Sequence, residues 1–368
     1  MFRMKKSIMQ RIVVLIVGCA AAFAMTAVLG GCASEEDALP EENVKYEIAL
    51  VTDDSLVMDG GHSETAWNAI TEFGGTHGIS HKYYKATEQT DAAFKDAIKT
   101  AINKGAKVVI VDNSNMAEAV FEMQEVYPEI DFILMDPDPY DPDNGNILIS
   151  KNTAAVAFDS GQAGYLAGYA AVVDGSTKLG FIGQDMSEEI RAFGYGYIMG
   201  AERASGEVGE ETTMNYRYCK DPSDRDAVHK AAQEMYESGV EVVFAGGNDI
   251  QEAVIEAAEA ADGKVIGSIT DQSGKSDKVI TSAVYGIREA LKGLLEQYVD
   301  ESFPGGDVSR FDAHNEGIGL ELKNNKLSNL TQKQYDEIYE ALANGDIKVN
   351  TENINSVKDI ITVNLTVN

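Results

Sequence analysis

Short apolar runs rich in β-branched residues alternate along the chain with stretches whose apolar positions repeat every three to four residues. The runs at 46–52, Val108–Val111, Asp131–Met135, 179–182, Thr212–Tyr218, 240–244, 265–269 and 279–284 suit buried strands. Between them, 65–73, 94–102, 116–126, Ser160–Val173, 189–204, Arg225–Glu237, 250–260 and 287–298 carry helical spacing. Phe94, Ile98, Ala101 and Ile102 fall on one helical face, with Gly105 just past its end. Repeated βα units predict mostly parallel sheets covered by helices on both faces. Eight such runs exceed the about four to six strands common in one open sheet, so two sheets in two lobes are expected. Ligands of such sheets bind beyond the carboxyl ends of the strands. That rule directs attention to 52–54 (with Asp53), 112–115, Asp136, 183–185, 245–248 (with Gly246), 269–272 and Tyr285.

The first 32 residues break this pattern. Arg3, Lys5, Lys6 and Arg11 precede an apolar run from 12 to 29, and Leu29-Gly30-Gly31-Cys32 follows. A basic start, an apolar core and small residues before a cut define a secretory signal. Leu at −3, small residues at −2 and −1 and Cys at +1 resemble the lipobox of bacterial lipoproteins. That resemblance implies cleavage before Cys32 and lipidation of its sulfur, with more than one acyl chain for a stable anchor. The competing reading is an uncleaved membrane anchor, which would leave the same domain outside. We therefore expect a signal peptide at 1–31 and a lipidated Cys32 with an acidic tether to residue 45. A lobe over 46–155, completed by about 285–349, a second lobe over 156–284 and an extension over 350–368 follow.

Charge narrows the partners. The 368 residues include 30 basic and 60 acidic ones, a net charge of −30. Losing 1–31 strips four basic residues and no acidic ones, taking the charge to −34. Nucleic acid is excluded as a natural partner, because phosphate binding needs clustered Lys and Arg. Three cysteines cannot form a disulfide framework or a four-cysteine zinc site. Cys219, alone after processing, reads as a small packing residue.

Motifs for catalysis are missing. There is no phosphate loop, no Gly-x-Ser-x-Gly elbow and no His-Glu-x-x-His pair. His77 and His81 lie four apart but among glycines, which points to a turn rather than a zinc helix. The loop 136–145 packs four carboxylates among prolines, without the spacing of a helix-loop-helix calcium site, and reads as a rigid acidic surface loop. Phe193 and Tyr197 share a helical face, which suits core packing or an aromatic wall for a flat ligand. Trp67, the single tryptophan, lies early in the first helix. No metal and no cofactor is called for.

Together these residues resemble the basic membrane protein family of lipoproteins, also called the purine nucleoside receptor family. The blocks are Ala66-Trp67, Ala163-Gly-Tyr-Leu-Ala-Gly-Tyr-Ala170, Gly180-Phe-Ile-Gly183, Phe193-x-x-Gly-Tyr197-x-x-Gly200, Val265-Ile-Gly267, Asp271-Gln272 and Thr281-Ser282. They span roughly residues 46–349. The resemblance implies two lobes of the periplasmic binding protein type I kind, hinged around a ligand cleft. It implies a receptor, not an enzyme, that hands a solute to an ATP-binding-cassette permease, with a purine nucleoside as the leading ligand.

The ligand set it implies here is Asp53, Asp59, His62, Ser63, Trp67, Asp136, Phe193, Gly246, Ile269, Asp271 and Tyr285. The departures lie inside that set. His62 stands where the family has a base-stacking Phe, and Ser63 where it has Asn. Ile269 occupies the place of an Asp expected on the ribose hydroxyls, and Tyr285 that of a Lys. Losing both charges removes charge-assisted hydrogen bonds of about 1.5–3 kcal/mol each. The role of receptor therefore carries over more fully than the ligand. A receptor for another metabolite, a ligand sensor and a nucleoside hydrolase using Asp53, Asp54 and Asp59 stand as alternatives.

Overall fold

The strands that open the chain are apolar on both faces. Ile48–Thr52 (β1) and Val108–Val111 (β3) are buried at every position, as strands between two helix layers must be. A computed structural model describes residues 45–53, 61–135, 139–352 and 354–368. Cys32, Asp59 and Asp136, and with them the lipobox, lie outside the described residues.

Four further strands join these two in the first sheet: His81–Lys85 (β2), Asp131–Met135 (β4), Thr153–Phe158 (β5) and Asp307–Phe311 (β11). Their order is β11-β5-β4-β3-β1-β2, and every pairing is parallel. The second sheet is built from Lys178–Gly183 (β6), Thr212–Tyr218 (β7), Val242–Gly246 (β8), Lys264–Ile269 (β9), Val279–Tyr285 (β10), Ile318–Leu320 (β12) and Leu365–Val367 (β13). Its order is β12-β10-β9-β8-β6-β7-β13, parallel except where β12 meets β10. Parallel neighbours need long crossovers, and helices supply them. Those of the first lobe are His62–His77 (α1), Asp91–Asn103 (α2) and Ala117–Val126 (α3). Those of the second are Ser160–Val173 (α4), Glu188–Val208 (α5), Arg225–Glu237 (α6) and Gln251–Ala261 (α7). Thr90, Asp159, Ser187 and Asp224 cap α2, α4, α5 and α6 with side-chain oxygens, so those helices start where their sequences say they should.

The chain passes between the sheets three times. It leaves β5 for α4, leaves β10 for Ile287–Val299 (α8), which packs on α1, and leaves β11 for β12. The crossings are tied together by backbone: Asp159 N–H donates to Phe311 O at 2.8 Å and Gly286 N–H to Gly317 O at 2.8 Å. The expectation that 285–349 completes the first lobe needs correction. Only α8 and β11 do so. The chain then returns, because β12 pairs with β10 and Gln332–Ala343 (α9) packs against α4. The last residues extend the second sheet through β13 on β7.

The strands missed by pattern are the weak ones. β2 reads HKYYK and lies at an edge, with no position fully buried. β5 reads TAAVAF, whose alanines have little strand preference. Both are made strands by the sheet beside them.

Glycine sets the approach of α4 to α5. A Cβ on Gly164 or Gly168 of α4 would strike the carbonyls of Phe193 or Tyr197, and one on Gly196 or Gly200 of α5 those of Gly161 or Tyr165. The two helices touch backbone to backbone. The Gly/Ala-rich blocks at 163–170 and 193–200 are therefore a helix-packing seam. Phe193 and Tyr197, both fully buried, follow from it as core residues.

Candidate functional site

The carboxyl ends of β1 and β3 lie side by side, since the two strands pair directly. Asp53 follows one and Asp112 the other, and both are buried, at 3% and 6% exposure. The first turn of α1 brings His62 and Ser63 to the same place.

The two carboxylates are held differently. Asp53 Oδ2 accepts from Asn113 Nδ2 at 2.7 Å and from Gln89 Nε2 at 3.0 Å. Asn113 is oriented for this, because its Oδ1 accepts from the Asn115 backbone N–H at 2.9 Å. Neither oxygen of Asp112 has a hydrogen bond of ordinary geometry. The Ser63 hydroxyl approaches it and favours the ion, but burial dominates and the charge of Asp53 adds to it. Asp112 is thereby pushed up to about 7. The His62 ring shifts in the opposite direction. Desolvation lowers it to about 4, against a hydrogen bond to the Asp112 backbone carbonyl. At neutral pH this floor holds a neutral imidazole and two carboxyl groups, one of them poised to lose or gain a proton.

Asp249, at the end of β8 in the second lobe, has its carboxyl raised by desolvation and by the charges of Asp185 and Asp53. The β8 end therefore faces the Asp53 floor across the gap between the lobes. On its own side the second lobe is stitched shut. Gln251 Nε2 donates to Ala245 O, Gly247 O and Ser268 Oγ at 2.9, 2.7 and 2.9 Å, and Asp249 N–H donates to Gln184 Oε1 at 3.2 Å. Gly246 closes β8 against the Phe181 ring, which a Cβ there would meet at 2.9 Å.

An open cavity of about 1010 Å³ lies farther along the gap. Phe158, Asp159 and Arg310 line it from the ends of β5 and β11, and Asp185, Glu189 and Arg191 from the start of α5. Beneath it Tyr285 is stacked on Phe158, with centroids 4.5 Å apart and planes 7° from parallel, and on Phe193 at 5.6 Å and 12°. Its hydroxyl donates to Glu189, while Ser160 Oγ lies 2.8 Å away. Burial raises the Glu189 carboxyl, and the Tyr285 hydroxyl opposes that shift.

The sequence-derived residues thus fall into groups. Asp53, His62 and Ser63 meet in the floor. Phe193 and Tyr285 meet at the chain crossings, Phe193 fully buried and Tyr285 7% exposed. Ile269 ends β9 with φ 71°, a left-handed conformation that a β-branched residue adopts only under strain. Asp271 accepts from the Ser273 N–H at 2.8 Å and Asn324 Nδ2 at 3.4 Å, fastening the turn after β9. Trp67 is not brought to any of these. It packs on β2, 5.4 Å from His81 and edge-on to Tyr83 at 5.2 Å. Asp112, Asn113 and Gln89 are the floor residues that motif reading did not select. For Asp112 and Asn113 the signal was the end of the apolar run 108–111, which the strand-end rule had marked; Gln89, in the turn before α2, carried none. Cys219 is half-buried and its thiol is raised to about 11 by burial, as suits packing rather than nucleophilic attack.

Two parallel sheets joined by three crossings, with polar strand ends facing each other over a gap, define the fold of the periplasmic solute-binding proteins. Solved structures agree. A solute-binding protein of an ABC transporter system from Conexibacter woesei superposes with a TM-score of 0.67 at 19% identity, covering 83% of this chain and 99% of its own. One from Aeropyrum pernix gives 0.67 at 16%, covering 84% and 94%. The fold is shared with a transcriptional activator of the comK gene from Bacillus halodurans, at 0.66 and 17% identity, covering 81% and 96%. The chain belongs to the Bmp family, the PnrA-like ABC transporter substrate-binding proteins, whose profile matches residues 46–356. It is 26% identical to the ABC transporter nucleoside-binding protein BmpA of Lactococcus lactis over 330 residues, 83% of this chain and 90% of that one. It is 32% identical to basic membrane protein D of Borreliella burgdorferi over 215 residues, 55% and 60% of the two chains. The family assignment makes it a substrate-binding protein of an ABC transporter, with a small-molecule ligand and a permease as its partners.

Proposed function

We propose that this protein is a lipid-anchored extracytoplasmic receptor that captures a purine nucleoside or a related compound by closing its lobes on it. The observation that carries the reading is the juxtaposition of the Asp53 floor with the β8 end of the other lobe, sensed in the charge of Asp249. A ligand bridging the two would favour the closed state that a permease recognises. The nucleoside comes from the likeness to a relative described as nucleoside-binding. The anchor comes from the lipobox at Cys32. No catalytic step is assigned.

Thermal unfolding of the purified chain against nucleosides, bases, sugars and amino acids tests the ligand. A ligand at about 100 times its Kd adds roughly 2.7 kcal/mol and raises the midpoint visibly. A rise with adenosine, guanosine or inosine is expected. A rise only with another solute would keep the receptor and replace the ligand. Metabolic labelling with a fatty acid, lost in Cys32→Ala, tests the anchor.

A further inference from the structure

Asp112 is 94% covered, lies at the end of a central strand, and has neither carboxylate oxygen in a hydrogen bond of ordinary geometry. Its neighbour Asp53, by contrast, is gripped by two amides. A buried ion without partners is among the most costly arrangements a protein can hold. The groups around it do not resolve the cost. Asp53 from the β1 end carries the same charge, Ser63 from α1 offers one hydroxyl, and His62 from α1 spends its ring N–H on the backbone carbonyl. Asp249 of the other lobe, which feels the charges of Asp53 and Asp185, is again acidic. What the site lacks is a pair of donors.

We propose that Asp112 is a specificity-determining residue that receives two parallel N–H donors from the ligand. A carboxylate with both oxygens open matches a planar edge bearing two N–H groups side by side. Such an edge occurs on a guanine base and in a guanidinium or amidinium group. Adenine offers one donor beside an acceptor there, and hypoxanthine a single N–H. The guanine case rests on the nucleoside reading; the guanidinium case does not. In the empty protein a proton takes the donors' place, in keeping with the raised carboxyl, and ligand binding displaces it.

Titration calorimetry of the wild-type chain and of Asp112→Asn, with guanosine, inosine, adenosine and agmatine, tests this. Guanosine should bind at least about tenfold tighter than inosine, and Asp112→Asn should erase that preference, since an unmet donor pair is rejected strongly. Binding to the wild type at pH 6.5 should release a proton, read from the dependence of heat on the buffer's ionisation enthalpy. This second readout stands if the variant fails to fold, which its unliganded melting reveals. Equal affinities for guanosine and inosine without proton release would overturn the proposal and leave the nucleoside reading intact. Preference for adenosine would overturn it likewise. Binding of agmatine alone, lost in Asp112→Asn, would support the proposal and remove the nucleoside. Binding of none of the four would overturn both.

Discussion

The seam between α4 and α5 and the floor around Asp53 and Asp112 are built on opposite terms. The seam is apolar, closed and intolerant of a single added carbon. The floor is polar, opens toward the other lobe and leaves a buried carboxylate waiting for partners. Two of the blocks through which the chain resembles its family, 163–170 and 193–200, lie in the seam, whereas His62 and Ser63 lie in the floor. The difference teaches that likeness in the packing motifs licenses the fold and the receptor role. The candidate ligand contacts sit on a separate set of residues, which the seam does not constrain.

The comparison can be broken most forcefully at the seam. Gly200→Leu drives a branched side chain into the Tyr165 carbonyl and should cost about 3 kcal/mol or more, a loss of folded protein visible by circular dichroism. Retention of a wild-type melting point would show that the seam is not the closed contact described.

At the floor the effect is smaller and depends on pH. Asp112 keeps its proton to about pH 7 when folded but only to about 3.9 when unfolded. Its ionisation therefore weakens the fold as pH rises from about 4 to 7. His62, at about 4 folded against about 6.5 unfolded, weakens the fold as pH falls through that window. The two oppose each other. Relative to wild type, Asp112→Asn should gain stability, up to a few kcal/mol, as pH rises from about 4 to 7. His62→Phe should gain it as pH falls from about 6.5 to 4. Denaturant melts at pH 4.5, 6 and 7.5 check both signs, and parallel curves for the two variants would refute the pairing.

Tyr285→Phe keeps the stack on Phe158 and Phe193 but removes the hydroxyl that Glu189 accepts from and that lies beside Ser160. A loss of about 1–2 kcal/mol in urea unfolding is expected. No loss would separate the crossings from the α5 start.

The smallest effect belongs to Ile269→Asn. Asn tolerates φ 71° where Ile is strained, so relief offsets much of the lost burial and the net change should stay within about 1 kcal/mol. Ile266→Asn, at a regular buried position of the same strand, should cost about 3 kcal/mol.

Most of the βα alternation was legible because periodicity reports burial, and burial in a parallel sheet is nearly complete. Ser160–Val173, Arg225–Glu237 and Asp131–Met135 fall where their patterns predict, bounded by Asp159, Asp224 and the ends of apolar runs. β2 and β11 were not legible, since polar edge segments become strands only by pairing, and neither was β5, whose alanines have little strand preference. The site was legible in part. Strand-end reasoning marked Asp53, Asp112 and Asn113 and the resemblance added His62 and Ser63, but Trp67 has turned to the β2 edge and Phe193 has sunk into the core.

The sequence by itself determined the two α/β lobes, the family and the acidic character of the cleft, because local pattern and charge do not depend on distant contacts. The tertiary structure decided which lobe receives 312–368. It also decided that the motif glycines serve packing and that Asp112 lies buried with no hydrogen bond of ordinary geometry to its carboxylate oxygens. Those outcomes follow from which backbones approach closely and which polar atoms are left over, and both depend on residues far apart in the chain.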